Sequence, residues 1–448
     1  MVTSVRCNAQ VGLSSLADQA PPVSVVPAWS GEKARDSLPS PVSTTSRGLG
    51  EVLGWVGDRI FVLGLLLGLL FVLDPTEQAW SEDYPAIKYL PVAIAVAATP
   101  WLLPRVVRLR SAPAMFWLLA VGTLWVLAGA LYTVGIQSQP VAESVMGRAL
   151  GMLTLLPGFL VMSRSRSREF ATRCLWLGGL PVSFLITLGL VVWQIGGIEF
   201  VDRAHIYHEQ IFLPASAAAA LFWSRSSVPG LRATTLVVLA LAGVISLKNT
   251  GFIATAAAFG IVVVALWRSR GRTPLLRATR NAAIVLAITT GLIVAAVAAL
   301  SSPESLPDGT PELRLVTYAS RLATFLESPI YGTGFVGSPF MELGPRMVQS
   351  HSDLLDIAHF GGVLGLLLLA VPMGIAALRV ILQTIRAGAQ TPARHIFTSL
   401  LFPFVLVAML VNPIWHQPTL MFLLWTSVAF HLGEPGAKAA PTDTAEDP

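Results

Sequence analysis

Long apolar runs recur along most of this chain, and short polar segments separate them. A helix that crosses the hydrocarbon core of a bilayer needs about 20 mostly apolar residues. Runs of about that length predict about twelve spans, near 60–73, 86–103, 114–135, 145–162, 174–195, 206–223, 233–247, 251–267, 281–300, 354–378, 397–411 and 418–432. The predicted fold class is therefore all-α: a polytopic membrane helical bundle with about twelve transmembrane helices.

The polar segments between these runs alternate in charge. Arginines collect in every second loop, as at Arg108, Arg166, Arg272 and Arg386, whereas the other loops hold acids such as Glu82. Lys and Arg are enriched in the cytoplasmic loops of membrane proteins. The even-numbered loops and both termini are therefore predicted to be cytoplasmic.

Composition agrees with a membrane protein. Residues are 54% hydrophobic and 12% charged, whereas soluble domains carry about 25% charged residues. The pI of about 9.5 comes from short arginine clusters between apolar runs, which favours membrane orientation over nucleic-acid binding.

The two ends of the chain are polar and differ from the segment between them. Residues 1–50 are rich in Ser and Pro and contain no apolar run long enough for a signal peptide. We expect 1–50 to form a disordered cytoplasmic tail, 51–432 the membrane domain and 433–448 a cytoplasmic C-terminal tail.

One connection is much longer than the others: residues 301–353, between the ninth and tenth spans, on the predicted extracytoplasmic side. Long loops in compact domains are usually functional or disordered. Helical spacing from Glu312 to Glu327 places apolar residues on one side, and Arg314 and Arg321 on another. This pattern predicts an amphipathic helix that lies on the membrane surface.

Two motifs follow this predicted helix. The sequence SRLATFLESPIYGTGF contains Arg321 and a turn-forming Pro-x-x-Gly-x-Gly stretch, and SHSDLLDIAHFGGVLGLLLL begins the tenth span with His351. An Arg, a helix, this turn and then a His at a span with Gly-x-x-Gly together resemble the signature of the O-antigen ligase and polymerase superfamily. The resemblance is sharp over 314–368, and the span count with one large outer loop agrees along most of the chain.

The resemblance implies a bacterial inner-membrane glycosyltransferase that is metal-independent and uses no cofactor. Its partners would be a polyprenyl-diphosphate-linked glycan donor, a glycan or lipid acceptor, and membrane lipids. Arg321 would bind the diphosphate, because Arg binds phosphate oxygens through two parallel hydrogen bonds. His351 would be the base that activates the acceptor hydroxyl.

The family also carries a second Arg after the seventh span. Lys248 occupies the corresponding stretch here, and a Lys binds phosphate as a point charge without the fork of an Arg. Arg203, in the loop before the sixth span, is another family-like position and a substitute for that contact. Arg314 is a further candidate, although a solvated side chain is the simpler expectation.

A polar cluster at the start of the tenth span allows a different interpretation. Asp353, Asp356 and His359 follow His351 at helical spacing, and two or three such ligands suffice to hold a divalent metal. The spacing matches no known zinc motif, so a hydrogen-bonded cluster inside the bundle is favoured. The glycines at 361, 362 and 365 are most simply explained by close helix packing.

Three functions therefore stay open. The first is a lipid-linked glycan polymerase or ligase, the second a transporter or flippase of cell-envelope precursors, and the third a metal-dependent intramembrane hydrolase. A transporter would work without His351 and a hydrolase would need metal. We find no internal repeat of the kind many transporters show.

Overall fold

A computed structural model describes residues 48–72, 87–135, 150–196, 211–223, 311–333, 340–343, 346–349, 352–387, 391–409 and 418–433. The predicted seventh, eighth and ninth spans lie outside these residues, as do almost all of the two predicted tails.

The first half of the described chain is helical. After α1 (Leu49–Val72), a short 3₁₀ turn leads into α2 (Leu90–Ala97), α3 (Thr99–Leu102) and a 3₁₀ stretch at Leu103–Ser111. The helices that follow are α4 (Ala114–Gly135), α5 (Leu155–Met162), α6 (Ser165–Gly196) and α7 (Phe212–Trp223).

The second half begins with α8 (Pro311–Glu327). A short antiparallel hairpin of β1 (Phe340–Leu343) and β2 (Arg346–Gln349) separates it from α9 (Asp353–Gly365). A π-helical segment, Leu366–Ala370, joins α9 to α10 (Val371–Ala387), and the chain continues with α11 (Ala393–Met409) and α12 (Pro418–Leu432).

Five helical stretches of the described chain are long and apolar enough to cross a membrane: Leu49–Val72, Ile87–Ser111, Ala114–Tyr132, Ser165–Gly189 and Asp353–Arg386. Shorter apolar helices lie at Leu150–Met162, Phe212–Leu221, Ala393–Leu406 and Pro418–Leu432. All of them fall on predicted spans, so the helical membrane character is confirmed for the described residues. The total of about twelve spans and the placement of the large loop stay predictions.

Three features differ from the sequence-based expectation. The first span was predicted near 60–73, but α1 begins at Leu49. The fifth span was predicted to start at 174, but α6 begins at Ser165. Its polar first turns are held by an ion pair at helical spacing between Glu169 and Arg173, 2.8 Å long, and an apolar window does not detect such a polar extension. The β1–β2 hairpin in the large loop was not predicted either.

The core consists of apolar side chains from both halves of the chain. Helix α1 packs against α2, α6 and α12, and α11 packs against α7 and α12. Phe61 of α1 meets Phe422 of α12 edge to face, with ring centroids 5.6 Å apart, a favourable aromatic geometry. The N-terminal and C-terminal helices thus share one interior.

A buried ion pair ties α1 to the 3₁₀ stretch that follows α3. Arg105 donates hydrogen bonds of 2.6 and 2.8 Å to the two carboxylate oxygens of Asp58 and one of 2.8 Å to the carbonyl of Gly54. Ser167 of α6 donates to the same carboxylate at 2.7 Å. Arg105 is therefore not a solvated loop cation, and the hydrogen bonds offset the cost of burying both charges.

Candidate functional site

The α9 helix contains a break at Gly362. Its backbone has φ 60° and ψ −156° inside a segment that is otherwise helical, a conformation that L side chains rarely adopt. A break of this kind leaves backbone donors and acceptors of the helix without their usual partners four residues away. Close packing was expected at Gly362, and the left-handed backbone conformation adds a second requirement for glycine there.

The turn after α8 supplies the partners that the break requires. Val363 N–H donates to the carbonyl of Pro329 at 2.8 Å, and Leu364 N–H donates to that of Ile330 at 3.3 Å. In return, Thr333 N–H donates to the carbonyl of His359 at 2.9 Å. The Pro-x-x-Gly turn and the Gly-Gly pair of the sequence motif are thus two halves of one joint, which we call the turn–helix joint (residues 328–333 and 359–364).

Two glycines allow the backbones in this joint to approach closely. Gly332 has φ 71°, and a Cβ there would lie 2.5 Å from the carbonyl carbon of Phe360 and 2.6 Å from the nitrogen of Gly361. A Cβ on Gly362 would meet the carbonyl carbon of Ile330 at 2.5 Å. Because these contacts are with backbone, no side-chain rotation relieves them.

Gly332→Ala and Gly362→Ala are therefore expected to destabilise the protein by at least ~2 kcal/mol each, through a strained φ and steric overlap. Gly374→Ala is the matched control, because a Cβ there meets nothing within 4 Å and helix propensity favours Ala. Thermal unfolding of the purified variants in detergent measures the effect. Equal melting temperatures for all three variants would contradict the close backbone contact between the two halves of the turn–helix joint.

Arg321 lies on the side of α8 that packs against α9. Its side chain is 5% exposed, its Nε is 3.6 Å from Oδ1 of the fully buried Asp356, and its Cζ lies 5.8 Å from the ring centroid of Phe360. Leu322 and Leu326, by contrast, are 51% and 65% exposed. The amphipathic helix thus turns its apolar side outward and its Arg321 side toward α9.

His359 adjoins the same joint. Its Nε2 is 3.4 Å from the hydroxyl oxygen of Thr333, and its ring meets that of Phe360 with centroids 4.7 Å apart. Asp353 is fully buried at the first turn of α9, where the helix N-terminus favours a carboxylate. Ser352 caps this turn by accepting a hydrogen bond of 3.5 Å from Leu355 N–H.

The carboxylate of Asp356 lies near Arg321, and the imidazole of His359 lies near Thr333. Among the described residues, no three His, Cys, Asp or Glu side chains are grouped so that they could hold a metal ion. His351, the first residue of the predicted cluster, lies outside the described residues, so the choice between the two interpretations stays a prediction.

Of the predicted site residues, the structure brings Arg321, Asp356 and His359 together at one end of α9. His351, Lys248 and Arg203 lie outside the described residues, and of Arg314 only the backbone in α8 is described. Sequence reasoning missed Thr333 and the turn–helix joint. The signal that could have revealed the joint is a Gly-Gly pair inside a predicted span, preceded by a Pro-x-x-Gly turn.

What this arrangement can do chemically follows from its charges. A cation and a carboxylate are buried together, with 3.6 Å between Arg321 Nε and Asp356 Oδ1, and the low polarity of the interior strengthens their attraction. Ionisable groups that are buried inside a protein are costly and cluster at functional sites. The fold and the site together define a polytopic membrane protein with a buried Arg–Asp pair where a surface helix meets a broken span.

Comparison with known families is consistent with this class. Residues 234–370 match the family model described as O-antigen ligase. The match contains α8, the turn–helix joint and α9, and it confirms the resemblance of this segment to the O-antigen ligase superfamily. No curated protein matches the chain.

Proposed function

We propose that the protein transfers a glycan from a polyprenyl-diphosphate carrier to an acceptor hydroxyl on the extracytoplasmic side of a bacterial inner membrane. The family match supports polysaccharide biosynthesis by a ligase or polymerase. The single observation that carries the proposal is the buried pair of Arg321 and Asp356 inside the matched segment. A buried cation suits a diphosphate leaving group, because it stabilises the negative charge that develops there.

The reaction breaks the bond between the anomeric carbon of the donor glycan and its diphosphate oxygen. A new bond forms between that carbon and the acceptor oxygen. The acceptor proton moves to His351, and the carrier leaves as the diphosphate. Arg321 stabilises the charge that develops on the leaving group, and Lys248, or Arg203 in its place, is the second cation.

The buried position of Arg321 changes how the donor must bind. A diphosphate cannot reach the guanidinium from the exposed apolar side of α8, where Leu322 and Leu326 lie. It must approach between α8 and α9, where its oxygens compete with Asp356 for the same cation. The exposed leucines in turn suit contact with lipid chains.

Purified protein in lipid nanodiscs, given a lipid-linked oligosaccharide as donor, tests the proposal. We expect transfer to proceed at an unchanged rate in EDTA, because no step proposed here uses a metal ion. Elongated lipid-linked product from donor alone would identify a polymerase, whereas product only with a second acceptor would identify a ligase.

The competing functions give different results in the same assay. Free glycan that appears only with added metal would support the hydrolase. Movement of intact donor across a liposome bilayer, without any transfer, would support the transporter. Either result would contradict the proposed function.

A further inference from the structure

A second polar feature lies at the other end of the bundle. A cavity of about 890 Å³ opens between the start of α4, the α5–α6 turn, α10 and the end of α12. Arg379, which lines it, is 16 residues after Val363, the first residue beyond the break in α9. At about 1.5 Å per residue this stretch is about 24 Å long, so the cavity lies far from the Arg321 site. The charge pattern predicts that the two lie at opposite membrane faces.

Four arginines from three distant parts of the sequence line this cavity: Arg108, Arg164, Arg166 and Arg379. They come from the second, fourth and tenth loops, all of which the charge pattern assigns to the cytoplasmic side. No Asp or Glu is among the described residues that line the cavity. Concentrated positive charge of this kind attracts an anion.

The contacts that these arginines make leave a surplus of positive charge. Arg108 donates to the carbonyl of Ser163 at 2.9 Å, and Arg164 pairs at 3.1 Å with Glu51, which is 55% exposed. The carbonyl carries no net charge. Among these residues, the one carboxylate of Glu51 therefore neutralises at most one of the four positive guanidinium groups. Arginine matches phosphate oxygens with its planar fork better than other cations do.

Apolar residues complete the lining and indicate the kind of anion. Met115 and Phe159 are both buried at the cavity, and Pro113 and Leu432 also line it. The volume falls within the range of about 300–1,000 Å³ that small-molecule sites occupy, and it is far larger than a free phosphate. An amphipathic ligand with phosphate at the arginines and carbon chains against the apolar residues fits both parts.

We propose that this cavity, which we call the arginine cavity, binds the phosphodiester headgroup of an anionic membrane lipid on the predicted cytoplasmic face. Basic pockets between membrane helices on that face are suited to such headgroups. The bound lipid would offset the repulsion among the four arginines, which come from the 3₁₀ stretch Leu103–Ser111, the α5–α6 turn, α6 and α10. This inference is independent of the proposed glycan transfer.

The test compares wild type with Arg166→Gln/Arg379→Gln, two exposed arginines that line the cavity, and with the control Arg110→Gln/Arg386→Gln. The control arginines are also exposed and on the same predicted face, but they do not line the cavity. Each protein is purified in neutral detergent, and its melting temperature is measured with phosphatidylcholine, phosphatidylglycerol or diphosphatidylglycerol. Native mass spectrometry counts the lipids that stay bound.

We expect the two anionic lipids to raise the melting temperature of wild type and control by at least ~2 °C over phosphatidylcholine. The cavity variant should lose that shift and its retained lipid. Inorganic pyrophosphate at the same phosphate concentration should give no shift.

Three results would overturn the proposal. An equal shift in the cavity variant and the control would mean that anionic lipids act on surface charge in general. An equal shift with pyrophosphate would identify a site for soluble anions instead. If no lipid raised the melting temperature of wild type, no lipid would stabilise the protein by binding in the cavity.

Discussion

Replacing Arg321 by Ala is expected to lower the rate of glycan transfer by more than a hundredfold. The guanidinium would no longer stabilise the leaving diphosphate, and each charge-assisted hydrogen bond to it contributes about 1.5–3 kcal/mol. Arg321→Lys keeps the charge but loses the fork, so we expect a ten- to hundredfold loss, equivalent to about one such bond. The measurement is transfer rate against the concentration of purified lipid-linked donor.

The same substitution also breaks a buried ion pair, so stability must be separated from catalysis. Loss of one partner of such a pair typically costs about 3–5 kcal/mol, and this cost applies to Arg321→Ala and Asp356→Asn alike. Asp356→Asn, however, keeps the cation and removes the carboxylate that competes for it. We therefore expect Asp356→Asn to lower the melting temperature while it retains donor affinity far better than Arg321→Ala.

A double-mutant cycle decides between the two roles of Arg321. If Arg321→Ala, Asp356→Asn and the double variant lose the same activity, Arg321 acts only as the partner of Asp356 and the diphosphate contact is refuted. The matched control is Arg110→Ala, an exposed arginine at the other end of the bundle. If Arg321→Lys equals wild type while Arg321→Ala does not, only charge matters and the bidentate contact is wrong.

Replacing His351 by Ala is expected to leave folding and membrane insertion intact and to lower transfer by about 10² to 10⁴, the usual loss when a general base is removed. The residue immediately precedes Ser352, which caps α9, so the substitution does not touch the capping hydrogen bond. Donor affinity should change little, because the base acts on the acceptor hydroxyl. Single-turnover transfer at saturating donor measures the chemical step.

His395→Asn is the control for this substitution. His395 lies 3.2 Å from Glu169 in a contact between α11 and α6, and the proposed reaction gives it no role. Wild-type transfer by His351→Ala would refute the assignment of the base. If His359→Ala then abolished transfer without lowering the melting temperature, His359 beside Thr333 would be the better candidate.

Apolar patterning located the spans because a bilayer imposes a simple requirement on sequence. Every described apolar helix falls on a predicted run, since about 20 apolar residues have few alternatives to a helix in lipid. An apolar window does not detect polar extensions such as the one that begins α6 at Ser165. There the helix depends on local ion pairs rather than on a long apolar run.

Helical spacing separated the two sides of α8 but could not say which side faces protein. Arg321 and Leu322 were correctly placed on different sides, yet the arginine side is the buried one. For a helix at a membrane, the apolar side has two suitable environments, lipid and protein. Only the position of Asp356 on α9 makes the polar side the one that packs inward.

The sequence by itself determined that this protein is a bundle of membrane helices and that Arg321, the turn and the start of the tenth span belong to one motif. Tertiary structure alone decided how the motif is assembled: the break at Gly362 opens α9, and the turn at Pro329–Thr333 completes its hydrogen bonds. It also decided that four arginines far apart in the sequence, Arg108, Arg164, Arg166 and Arg379, line one cavity. The physical reason is that hydropathy and periodicity are local properties, whereas backbone partners and clustered charges depend on contacts between residues far apart in the chain.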